Sequence, residues 1–388
     1  MPDNIILDGD VTVTGQLNAP NSSSTGDGGL GPGGGKPGAG LSEPLPETQP
    51  NDPPEKRAAD AGFNIDRKVE INSIAEVDGQ SNTLYIHNGS NGPLKHNGKH
   101  AIGDVTDVVV AGENDSRLKI PGGYRDFSVT VSGGNGFMWT GVSLDQRANG
   151  AWGRMNINVA GRGFLEYFQS YGAGRRANPN PNAALGKTSG ATISLPATNS
   201  SGTNRMKNVT LVHGGVMASK HYGDREMGVW YGNKHKGRLS LVNCRLEEFP
   251  NNAVYASNTN GAVTADNCRF YNNAVSQFRA ANGYVKNSTL GFDFRKSGLG
   301  NADANGHGLV GIMAEQKAGD GALSLVSGNK IEMLNVANCG GGITGTAANS
   351  RGRINKIVNN TIDMGNTGAP AINPRSGSFG TVSGNTTV

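Results

Sequence analysis

Short apolar runs closed by Gly, Asn or Asp recur along most of this chain, with the period-2 alternation of strands. Val69–Ile71, Thr83–Ile86, Val105–Val110, Phe127–Val131 and Met138–Leu144 each read as a strand. From residue 208 onward the runs take a common form. LVNCRL (241–246), TADNCRF (264–270), YVKNSTL (284–290) and KIVNNTI (356–362) share Asn-x-x-(Leu/Phe/Ile), and MKNVTL, VSGNKI and TVSGNTTV are looser versions. The anchoring positions are Asn208, Asn243, Asn267, Asn287, Gly328, Asn359 and Gly384, so the steps are 35, 24, 20, 41, 31 and 25 residues. A short minimal step with irregular additions is the mark of a solenoid whose loops leave its coils. The 41-residue step could hold two coils, one of them degenerate.

The phase of the pattern gives the asparagine a physical role. Before it, apolar residues sit at Leu239 and Leu241, or Val263 and Ala265; after it they slip by one place, to Cys244 and Leu246, or Cys268 and Phe270. Because strand alternation has period 2, a one-place slip requires a bend between two strands. Asn tolerates the left-handed backbone that such a corner needs. Stacked coils would bring Asn208, Asn243, Asn267, Asn287 and Asn359 into a column at about 4.8 Å spacing, close enough for an amide ladder.

Composition agrees with many short strands and tight turns: 60 of 388 residues are Gly, while apolar residues make up only 35%. Helical and doubly wound folds need more continuous apolar stripes. A formal charge of +4, with Lys and Arg scattered among acids, gives no nucleic-acid footprint. No apolar run is long enough to span a membrane, and the start MPDNIILDGD shows no secretory signal. Three cysteines form no metal-like spacing. Cys244 and Cys268 fall at equivalent places, as either a disulfide staple or a buried column of thiols; the odd count favours the column.

The chain divides into three parts. Residues 1–19 carry a strand-like alternation (Ile5-Ile6-Leu7, then Val11 to Gly15) too short to fold alone, and read as an anchor that must pair with other subunits or a larger assembly. Residues 20–56 hold 8 of the 17 prolines and 9 glycines, the composition of a linker. Residues 57–388 read as the solenoid, giving an all-β fold class: a right-handed parallel β-helix preceded by a short β anchor and a Gly/Pro-rich linker.

The Asn-centred repeats resemble those of right-handed parallel β-helix proteins, both the pectate-lyase-like superfamily and the NosD-like repeat proteins. The stretch 121–168, with Asp145-Gln146-Arg147, is similar to haloarchaeal members, and the order anchor, linker, β-helix looks like tail fibres and tailspikes of tailed viruses. The resemblance implies a virion structural protein that recognises host-surface glycans, homo-oligomeric (a trimer, as in tailspikes), joined to other virion proteins through residues 1–19 and located on the virion or outside the cell. The alternative it implies is a polysaccharide-active enzyme (lyase, hydrolase or epimerase); a cell-surface adhesin is a third reading. A host polysaccharide or glycoprotein is the expected partner, with no nucleic acid, metal or cofactor.

The densest polar and aromatic cluster is HGGVMASKHYGDREMGVWYGNKHKG (213–237), inside the 35-residue step. Aromatic faces beside hydrogen-bonding side chains hold sugar rings well, so Trp230, Tyr231, Asp224, Arg225, His221 and His235 are candidate ligand-binding residues. Asp224, Glu226 and His221 are candidate acid–base groups. Weaker candidates are Asp145, Arg147 and Arg154, which could pair as surface ions; the protruding stretch 167–176; and Asp293, Arg295, Asp303 and His307, which could meet the main cluster only if their coils are neighbours.

Overall fold

The computed structural model describes residues 12–13, 51–122, 127–148, 151, 153–172, 191–213, 226–257, 259–293, 309–316, 321–336, 339–346 and 352–388. Among these residues the strands form three sheets of 12, 11 and 10 members, and every described pair is parallel. One coil shows the unit. Arg238–Val242 lies in sheet I, Arg245–Glu247 in sheet II and Val254–Ala256 in sheet III, and Ala262–Asp266 then re-enters sheet I beside Arg238–Val242. Repeating this unit along the chain gives a right-handed parallel β-helix, the hand that parallel crossovers take.

Sheet I runs from Arg67–Glu70 to Ser378–Ser383, sheet II from Arg117–Lys119 to Thr386–Thr387, and sheet III from Lys99–Ile102 to Ile372–Asn373. Inward side chains stack in columns: Leu241, Ala265, Val285, Val326, Ile357 and Val382 from sheet I, and Leu246, Phe270, Leu290, Ile331 and Ile362 from sheet II. Each such large side chain, taken fully out of water, stabilises the coil by roughly 1.5–3 kcal/mol.

All five corner asparagines have left-handed backbone, with φ between 51° and 57°, and Gly328 and Gly384 take the same conformation. Side-chain amides link only three of them. Asn243 Nδ2 donates to Asn208 Oδ1 at 3.2 Å, and Asn267 Nδ2 to Asn243 Oδ1 at 2.8 Å. Asn287 turns instead to the Asp266 carboxylate at 3.0 Å, and Asn359 stands between Gly328 and Gly384, which offer no amide. The single five-membered ladder is thus corrected to three members, while the corner geometry extends to all five.

A second column lies one residue later, inside the core. Asn329 Nδ2 donates to Asn360 Oδ1 at 2.9 Å and Asn360 Nδ2 to Asn385 Oδ1 at 2.8 Å, and all three residues are buried. Cys244 and Cys268 continue this column as free, buried thiols, with Ser288 between them and Asn329.

Three other expectations change. The 41-residue step is one coil, because Gly283–Lys286 pairs directly with Leu323–Ser327. Met138–Leu144 is two strands, Gly136–Thr140 and Ser143–Asp145, bent at Gly141, whose φ is 71°. The expected linker ends early, since Pro54–Asp60 is a helix with proline in its first turn. Its Ala58 packs with Phe63 on the outward side chains Leu84, Ile86, Val109, Ala111 and Met138. That cover explains why the first coils are apolar on both faces. Separately, Thr12–Val13 runs parallel to Thr386–Thr387, at the last edge of sheet II.

Candidate functional site

The segment 213–237 is split by the coil geometry. His213 follows the sheet II strand Thr210–Val212, and Glu226 precedes the sheet III strand Met227–Trp230. His221, Asp224 and Arg225 lie outside the described residues.

Trp230 is 40% exposed on the outside of sheet III, the one large aromatic side chain so exposed among the described residues. Parallel register places Tyr255 beside it in the next coil and Arg279 beside Tyr255 in the one after. The Arg279 guanidinium sits over the Tyr255 ring, 4.7 Å from its centroid, and pairs with buried Glu315. Outward residues of adjacent coils are about 4.8 Å apart, so this row presents aromatic faces side by side.

Tyr231 and His235 do not join that surface, which corrects the ligand-contact role expected of them. Both are buried. His235 Nδ1 accepts from the Ala197 N–H at 3.1 Å, which leaves Nε2 to donate to the Ala262 carbonyl at 3.2 Å. Burial pushes the imidazole below its usual pKa, and the two bonds fix a neutral tautomer that braces three coils. The Tyr231 hydroxyl donates to the Met206 sulfur at 3.9 Å.

A second polar group gathers where sheet II turns into sheet III. His213 Nε2 is 3.3 Å from Glu226 Oε2, and Thr192 donates to Glu226 Oε1 at 2.9 Å. In the next coil Glu247 accepts from Arg245 and Arg269, each at 2.6 Å, and the Arg269 guanidinium covers the Tyr271 ring. Burial, then the nearby Glu332 and Asp293 carboxylates, push the Tyr271 phenol up to about 12.

Glu248, which sequence reasoning missed, follows directly. It is a non-glycine residue at φ 62°, where the next coil has Asn272 at φ 57°. It is 8% exposed, and its Oε2 has no hydrogen-bond partner among the described residues. Burial, reinforced by Glu247 and opposed by Arg245, raises its carboxyl to about 7.

The weaker candidates divide. Asp145 and Arg147 form a bidentate pair, at 2.9 and 2.8 Å, on the outside of sheet II. Burial alone would raise the Asp145 carboxyl, but the Arg147 bonds outweigh it and hold it below the usual range. Arg154 lies on a different face, in the sheet III strand Gly153–Asn158. Asp293 stands at the II–III corner two coils beyond Glu248, its Oδ1 accepting from Asn335 at 2.9 Å. Arg295, Asp303 and His307 lie outside the described residues, as do 173–176, while Gln169–Tyr171, expected to begin a protruding loop, is a strand of sheet II. Among the described residues, no cluster of three or more His, Cys, Asp or Glu side chains could hold a metal ion, and no helix is long and apolar enough to cross a membrane.

No family model matches the chain, and no curated protein matches it. A solved structure similar to it is the crystal structure of pectate lyase Pel9A, at 13% identity and a TM-score of 0.45, covering 83% of this chain and 80% of that chain. The β-helix assignment rests on the strand order itself.

Proposed function

We propose that this chain is a virion structural protein, a tail fibre or surface projection, whose β-helix recognises host-surface glycans on the outside of sheet III. The observation that carries the recognition is Trp230: a large apolar ring left in water, in register with Tyr255, whose own ring lies under the Arg279 guanidinium. An aromatic face costs hydration when exposed and recovers it when a sugar ring stacks on it. A solenoid repeats this surface along its axis, which suits a polymer better than a small molecule. The virion assignment draws on the anchor and linker composition of residues 1–56 and on the resemblance to tailspikes. On this reading the protein is extracellular, homo-oligomeric, and joined to other virion proteins through residues 1–19.

Two measurements test it. Mass spectrometry of purified virus particles should find the chain as a stoichiometric component; its absence from particles removes the virion role. The protein should be retained on immobilised host polysaccharide, and Trp230→Ala should lose at least 10-fold in affinity, corresponding to about 1.4 kcal/mol of stacking. Equal retention of both proteins would remove this surface.

A further inference from the structure

We propose that the edge of sheet II beyond Thr386–Thr387 is a docking site for the chain's own N-terminal segment, which adds Thr12–Val13 to it as a parallel strand and is thereby held in reserve. The contact does not depend on the virion reading. Where that reading holds, the segment reaches other proteins only by leaving this edge.

The register is that of a further coil. Thr12 stands opposite Thr386 and Val13 opposite Thr387. Val13 thereby takes the next place in the inward row Leu246, Phe270, Leu290, Ile331, Ile362 and Thr387. That row is apolar until Thr387, and a valine restores the side chain that the core takes at every earlier place. The backbone agrees with the side chains. The N–H groups of Thr386 and Val388 donate to the Asn360 and Ile362 carbonyls of the preceding coil. Strand alternation turns the N–H and carbonyl of Thr387 to the opposite side, the side on which Thr12–Val13 lies. Such a row of main-chain groups is a template for an added strand.

Charge and reach identify the occupant as this chain's own segment. Residues 1–19 carry Asp3, Asp8 and Asp10 and no Lys or Arg, while residues 351–388 carry Arg351, Arg353, Lys356 and Arg375 against Asp363 alone. Opposite signs draw the two together. The helix Pro54–Asp60 covers the first coils, so residues 14–50 must carry the chain past about ten coil spacings, roughly 48 Å. A flexible coil of that length has an r.m.s. span of about 35 Å and reaches about 120 Å when extended. Tethered in this way, the segment meets its own edge at an effective concentration of about a millimolar. A second copy present at micromolar concentration competes poorly with it.

The test uses the full chain carrying Thr12→Cys and Thr386→Cys, the registered partners, with Cys339→Ser to remove the half-buried thiol; Cys244 and Cys268 are buried. Oxidised glutathione should join the two introduced thiols within one chain in about half of the molecules or more, with a yield unchanged on about 10-fold dilution. Disulfide-linked dimers that increase with concentration would overturn the proposal in favour of a second copy. The control is Thr12→Cys with Lys330→Cys, on the same row two coils earlier. Linkage no greater than in that control would overturn the docking itself. Hydrogen exchange gives an independent reading. Val13→Asp should speed exchange of the Thr387 N–H by about 10-fold or more, with a smaller change at the Val388 N–H, which is bonded to the preceding coil. Equal exchange at Thr387 in parent and variant would likewise overturn the proposal.

Discussion

Replacing Asn243 separates the two contributions of the corner asparagines. Its backbone sits at φ 53°, and its amide both donates to Asn208 at 3.2 Å and accepts from Asn267 at 2.8 Å. Left-handed backbone costs an alanine roughly 1–2 kcal/mol. The two amide bonds are solvent-exposed, so each contributes about 0.5–1 kcal/mol. Asn243→Ala therefore loses about 2–4 kcal/mol. Asn243→Gly keeps the backbone conformation, loses the same two bonds and gains some unfolded-chain entropy, for a total of about 1.5–2.5 kcal/mol. Asn359 supplies the internal control. It has the same backbone at φ 57° but glycines above and below, so Asn359→Gly loses no ladder bond and should cost only about 0.5 kcal/mol. Solenoids open locally, so the assay is guanidinium unfolding together with hydrogen exchange of the Asn243 N–H, which donates to the Asp266 carbonyl at 3.2 Å. The order expected is Asn243→Ala below Asn243→Gly below Asn359→Gly in stability. Equal losses for the two glycine variants would show that the amide ladder contributes nothing, and an alanine variant as stable as the parent would refute the corner argument itself.

The other predictions concern neighbouring features. Asn360→Ala should cost about 2–3 kcal/mol, well above Asn359→Gly, because it strands the buried Asn329 N–H and removes the side-chain bonds to Asn385 Oδ1 and the Val326 carbonyl; denaturant midpoints check this. Glu248 is raised from 4.5 to about 7, so folding favours its protonated form. The stability it confers is full below pH about 4.5 and is lost as pH rises to about 7, a swing of about 3 kcal/mol. Glu248→Gln should remove that slope, gaining on the parent by several degrees in melting temperature between pH 4 and pH 8; parallel curves would contradict the raised carboxyl. Deleting residues 1–50 should leave a cooperative solenoid by circular dichroism, since the helix Pro54–Asp60 that covers the first coils is retained.

What the sequence displayed and what it hid have physical reasons. The corner was legible from residue 208 onward because Asn and Gly recur where the apolar phase slips. Before that, the same corner is made by Gly141 and Tyr167, with φ 71° and 49°, and no residue type announces it. The first coils also hid their period, because the helix buries Leu84, Val109 and Met138 on the outside. Trp230 was legible as an aromatic among polar residues, and its exposure follows from strand parity. His235 looked equally polar, but only the stack of coils places the Ala197 N–H and the Ala262 carbonyl on either side of its ring. Glu248 was hidden for a similar reason. Arg-Leu-Glu-Glu-Phe reads as an ordinary strand end, and neither its left-handed backbone nor its place beside His213 is a local property of the sequence.

Glycan recognition by the outside of sheet III is tested most directly by the indole of Trp230. Emission from the parent protein should shift to shorter wavelength and become shielded from acrylamide quenching as a retained polysaccharide is added, because the ring is 40% exposed when free. Of the other two tryptophans, Trp139 is buried, and Trp152 is replaced by Phe in both proteins compared, so that the signal is that of Trp230. Trp230→Phe should abolish the change. A shift of the same size in Trp230→Phe, or an unchanged spectrum in the parent at saturating polysaccharide, would contradict the account.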